Sequence, residues 1–139
     1  MQNHRPLKVG ALSLLTSLFL MAGPALAQDE GLTSQCQRYS TSYDRTYCTA
    51  KLFLASDQEL NEVYKKLRAS VQGDTRQRLT QVQRGWISHR NQSCEGGTGQ
   101  IDVDCNYRIN RDRTTYLRDR LRECQTGSCN TGLIGQESW

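Results

Sequence analysis

Few residues of this 139-residue chain could do chemistry, and their spacing argues against catalysis. His89 is the only histidine beyond the first few residues, and no nucleophile or acid stands near it in the local sequence. Two carboxylate pairs, Asp57 with Glu59 and Asp102 with Asp104, have the residue types of glycoside hydrolysis. The first pair, however, falls in a helix-start signature and the second in a glycine-rich loop. The six cysteines, Cys36, Cys48, Cys94, Cys105, Cys124 and Cys129, include no C-x-x-C pair. With a single downstream histidine they do not form a zinc pattern, so no metal and no cofactor is expected. The glycines of residues 95–104 (EGGTGQIDVD) are not followed by Gly-Lys-Ser/Thr and make no phosphate loop.

The elements that must position these groups are helical. Ser56-Asp57-Gln58-Glu59 has the form of a capping box, with Ser56 expected to cap the amide of Glu59 and Glu59 to reach back. Leu60, Val63, Tyr64, Leu67 and Val71 follow at helical spacing. Gly73 is expected to end this helix, and Asp74 or Thr75 to cap a second. The second carries Leu79, Val82, Trp86 and Ile87 on one face and runs to about Cys94. A third is expected over 106–124, with Ile109, Tyr116, Leu117, Leu121 and Cys124 on its apolar face. Arg108, Arg111, Arg118 and Arg122 gather opposite, either as a solvated face or as a site for an anionic partner. Upstream, Tyr39, Tyr43 and Tyr47 recur every four residues, consistent with one or two short helices.

Several polar residues point the wrong way for a solvated surface. Arg113 falls among the apolar positions of the third helix. Gln83 and Arg90 share the stripe of Leu79 and Trp86, and Asp57 and Asn61 flank that of the first helix. A buried arginine needs a partner. Asp57 is therefore expected to pair with Arg90 or Arg113, with Asn61 and Gln83 satisfying the remaining donors. The alternative is a ligand pocket lined by the same groups.

The run Ala55 to Tyr64 (ASDQELNEVY) resembles the "AD-x-x-LN-x-x-Y" signature of the LprI-like N-terminal domain family, named for a mycobacterial lysozyme inhibitor. Gln83, Trp86, Arg90 and Cys94 resemble its "Q-x-x-W-x-x-x-R-x-x-x-C" signature. Gly96-Gly97, Cys105, Arg113 and Leu117 resemble its closing "GG…C…R-x-x-x-L" pattern, although Asn110 stands where the family usually has threonine. The resemblance covers about Cys36 to Leu121. It implies a small all-helical envelope domain and a protein that binds lysozyme.

Residues 1–27 read as a cleaved export signal: His4, Arg5 and Lys8, an apolar core from Val9 to Met21, and a small-residue site at Ala25-Leu26-Ala27. The core is shorter than the roughly 20 residues of a spanning helix. The first cysteine comes only at Cys36, so no stable membrane anchor or lipid attachment is expected. The signal holds two of the 18 basic residues and none of the 14 acidic ones, which leaves 16 − 14 = +2 for the exported part. Net charge alone does not suggest nucleic acid.

In the oxidising periplasm, or outside the cell, an even cysteine count reads as disulfides. Many connectivities are open. Neighbour pairing, Cys36–Cys48, Cys94–Cys105 and Cys124–Cys129, is favoured, and the middle bridge would clamp the loop 95–104. The expected fold class is all-α: a small disulfide-stapled domain with an antiparallel helical hairpin, a third long helix and a short N-terminal helical segment. Its organisation is signal 1–27, disordered N-terminus 28–35, helical domain 36–124 and a C-terminal tail 125–139, tied at Cys129 and loose at its end.

Two functions follow. One is lysozyme inhibition through the loop, with Glu95, Asp102 and Asp104 facing the enzyme. The other is a non-inhibitory envelope module that docks through Arg108, Arg111, Arg118 and Arg122 on another periplasmic protein or an anionic surface.

Overall fold

A computed structural model describes residues 27–97, 99–137 and 139. The export signal expected over 1–27 lies outside them, save for Ala27. The described residues form five helices: α1 Ala27–Cys36, α2 Ser42–Ser70, α3 Gly73–Ser93, α4 Val103–Gln125 and α5 Thr131–Ile134. The domain is all-α and disulfide-stapled, and α1 occupies the stretch expected to be a loose terminus.

The start of α2 corrects the capping reading. Thr41, not Ser56, caps this helix: its Oγ1 accepts the amide of Asp44 at 3.0 Å and donates to the Asp44 carboxylate at 2.7 Å. Ser56 lies mid-helix, where its backbone is helical and cannot act as a cap. Its hydroxyl donates instead to the Phe53 carbonyl at 2.8 Å. Leu52 to Ala55 interrupt nothing, so the helix expected to begin at Ser56 continues a 29-residue one.

Gly73 is likewise not a terminator. The connection is Val71-Gln72, and Gly73, at φ +54°, opens α3. Gln72 takes the cap position without a side-chain bond, so neither Asp74 nor Thr75 caps α3. The orphan carbonyls at the end of α2 are met from α3, where Arg76 Nε donates to Arg68 at 3.1 Å and Val71 at 2.8 Å.

The long helices run up, down and up. Asp57 meets Arg90 and Tyr64 meets Thr80, so α3 is antiparallel to α2. Gln83 meets Arg113 and Ser93 meets Cys105, so α4 is antiparallel to α3 and parallel to α2. The closest backbone approach is between α2 and α4 rather than within the α2–α3 hairpin. Small side chains explain it: Ser56 and Asn110 bond directly at 3.3 Å across that seam. Against α3, by contrast, the bulk of Trp86 and Arg113 intervenes.

The core joins Leu60, Val63, Leu67 and Val71 of α2 to Leu79 and Trp86 of α3, Leu117 and Leu121 of α4, and Ile134 of α5. Ile87, expected on the apolar face, is exposed at the edge of the stripe. The tail is tied at Cys129 as expected, but its end is not loose. Ile134 is fully buried, Tyr116 donates its hydroxyl to the Leu133 carbonyl, and the Trp139 ring packs over Gly85. The bridges are Cys36–Cys48, Cys94–Cys105 and Cys124–Cys129.

Candidate functional site

One polar network ties the three long helices together. Arg90 Nη1 of α3 donates to Asp57 Oδ1 of α2 at 3.0 Å and to Asn110 Oδ1 of α4 at 2.8 Å. Asn110 Nδ2 completes the triangle with Asp57 Oδ1 and Ser56 Oγ, both at 3.3 Å. Asn61 donates to Asp57 Oδ2 at 3.1 Å. The guanidinium of Arg90 also faces the rings of Phe53 and Trp86, 5.7 and 5.4 Å from their centroids.

Arg113 stands apart from this network, with Gln83 as its partner. Its Nε donates to Gln83 Oε1 at 3.1 Å, and the rings of Trp86 and Tyr116 flank it. Both terminal nitrogens are buried without a hydrogen bond among the described residues. Burial pushes its pKa down to about 10, partly offset by Tyr116. Gln83 thus serves Arg113, and among the described residues the ion pair of Asp57 is with Arg90. Glu59, freed from any capping role, accepts from Arg111 at 3.1 Å and from Arg118, and so clamps α2 to α4. Leu60 is core, and Tyr64 reaches Thr80 at 3.4 Å.

The loop between α3 and α4 projects from the end of the bundle beside this network. The Cys94–Cys105 bridge clamps its base, and Asp102 N donates to the Cys94 carbonyl at 2.9 Å. Glu95 and Ile101 pair as an isolated bridge, and Gly99 turns the chain at φ +71°. Ile101 is 71 % exposed. Beneath it lies a cavity of about 400 Å³ lined by Phe53, Arg90, Cys94, Glu95, Ile101 and Asn106, among others.

The three loop acids are not equivalent. Asp102 is the N-cap of α4 and accepts the Cys105 amide at 2.9 Å, and Asp104 pairs with Arg108 at 3.4 Å. Glu95 is exposed and makes no ion pair among the described residues. The arginines of α4 are engaged too. Arg108 holds Asp104, Arg111 and Arg118 hold Glu59, and Arg122 holds Asp119. His89 Nε2 lies 3.4 Å from Ser93 Oγ one turn on, and no carboxylate bonds its ring among the described residues. Nor do these residues bring together three groups able to hold a metal.

Sequence reasoning missed Asn110 as the hub, although a polar residue on the apolar face beside Arg113 and Leu117 was a readable signal. Phe53 and Ile101 left no such mark, because their roles depend on where the loop lands.

The fold and site define a disulfide-stapled helical domain whose clamped loop offers an exposed apolar residue. Residues 33–117, more than half of the chain, match the family model described as Lysozyme inhibitor LprI, and the chain belongs to this family. The match covers the Asp57–Arg90–Asn110 network and the loop, but not α5. Comparison with curated proteins gave no match, and neither did comparison with solved structures. Among the described residues no helix is long and apolar enough to cross a membrane.

Proposed function

We propose that the chain is exported to the periplasm or beyond and binds lysozyme there, blocking its substrate cleft with the loop 95–104. Membership of the inhibitor family supports the partner. Three disulfides among six cysteines suit an oxidising compartment. The observation that carries the reading is Ile101, an aliphatic side chain held out to solvent on a loop tied at its base by a disulfide and backbone bonds. A pre-ordered loop loses little conformational freedom on docking, so the burial of Ile101 translates into affinity. Glu95 beside it gives a basic enzyme one uncommitted carboxylate. Asp102 and Asp104 shape the loop rather than contact the enzyme.

The envelope-module reading rested on the α4 arginines. It loses support because Arg108, Arg111, Arg118 and Arg122 already meet carboxylates of this chain. Steady-state kinetics tests the inhibitor reading. Cleft occlusion raises the apparent KM of lysozyme for cell-wall substrate and leaves kcat unchanged. A fall in kcat at constant KM would place the contact elsewhere.

A further inference from the structure

Four cations without carboxylate partners among the described residues gather near the α2–α3 turn. Lys65 and Arg68 of α2, with Arg76 and Arg84 of α3, line a groove of about 720 Å³ near the α2–α3 turn. Among the described residues none of the four makes an ion pair, whereas Arg90, Arg108, Arg111, Arg118, Arg120 and Arg122 all do. Two of the guanidiniums are held in place through Nε: Arg68 to Thr80 Oγ1 at 3.4 Å, and Arg76 to the carbonyls that end α2. Their terminal nitrogens carry no hydrogen bond among the described residues.

We propose that this groove binds an extended acidic segment of a partner protein. The guanidiniums lining the groove suit paired recognition of carboxylates. Arg76 and Arg84 lie two turns apart, about 12 Å along α3, the length of about four extended residues. The matching ligand carries at least two carboxylates within such a stretch. A membrane is a poorer fit, because the surface is concave and Ile87 is its one exposed large apolar residue. A single-stranded nucleic acid needs exposed rings for stacking, and the only ring here, Tyr64, is half-buried with its hydroxyl on Thr80. The proposal is independent of lysozyme binding, since no residue lining the groove belongs to the loop 95–104.

The test is fluorescence anisotropy of a labelled peptide of alternating Glu and Gly, with its Gln counterpart as control, titrated with the oxidised chain at low and physiological salt. Lys65→Gln/Arg84→Gln removes two exposed charges, and Arg108→Gln/Arg122→Gln removes two elsewhere, with circular dichroism confirming that both fold. Saturable binding of the Glu peptide alone, weakened tenfold or more by the groove pair and less than twofold by the α4 pair, is the expected result. Absence of saturable binding at low salt would overturn the proposal. So would equal weakening by both pairs, or binding to phosphatidylglycerol vesicles without binding to the peptide.

Discussion

Arg90 and Asp57, 33 residues apart in sequence, meet at 3.0 Å across the α2–α3 interface. The contact is asymmetric in burial: the Arg90 side chain is 11 % exposed and that of Asp57 39 %. Asp57 therefore keeps part of its hydration, while Arg90 depends on Asp57, Asn110, the neighbouring Asn91 and two aromatic faces. Replacing the arginine removes a buried cation together with its desolvation cost, but leaves Asn110 and Asp57 short of a donor.

For Arg90→Leu we expect a loss of about 1–3 kcal/mol, the range for leaving buried polar groups unsatisfied. The measurement is the midpoint of chemical unfolding with the disulfides intact. Unchanged stability with loss of lysozyme inhibition would instead make Arg90, which also lines the cavity under the loop, a residue that contacts the ligand.

Arg113 behaves differently. Its charge is desolvated and two of its nitrogens have no partner, so burial works against it at neutral pH. Arg113→Met is therefore expected to cost no more than about 1 kcal/mol, or to stabilise, as replacement of buried charges by apolar groups can. The pH dependence has a definite sign. The folded pKa of about 10 lies well below the ordinary arginine value, so the penalty is full below pH 10 and is relieved as pH rises through that value. Wild type should gain on Arg113→Met above pH 10 in paired thermal melts. A loss of several kcal/mol in the variant at pH 7 would show that the aromatic cage outweighs desolvation.

Ile134 ties the tail to the core. Ile134→Ala should cost about 2–4 kcal/mol, as for other buried aliphatic truncations, read as a lower unfolding midpoint. A change under 0.5 kcal/mol, the usual limit for surface substitutions, would mean that α5 is not docked in solution.

The helical character was legible because it is written locally. Leu60, Val63 and Leu67 repeat at helical spacing, as do Leu79, Val82 and Trp86, and the polar intruders on those stripes singled out Asp57 and Arg90. Elsewhere, local signals misled. Ser56 and Glu59 have the spacing of a cap, yet a cap also requires a break in the helix, and Leu52 to Ala55 supply none. The shared partner of Arg111 and Arg118 is Glu59, more than 50 residues away, so a helical wheel of α4 alone could not show it. Ile134 sits in a short polar tail with no periodicity to mark its burial. In the candidate site, the disulfide clamp could be anticipated from cysteine order, while the exposure of Ile101 depends on the path of the loop.

Inhibition of lysozyme by the oxidised chain, compared with its Ile101→Asp variant, tests the central claim most directly. The account predicts saturable inhibition at one-to-one stoichiometry, weakened at least tenfold by Ile101→Asp and less than twofold by Lys65→Gln/Arg84→Gln. No inhibition at tens of micromolar, about the weak end of specific binding, or equal inhibition by Ile101→Asp, would contradict it.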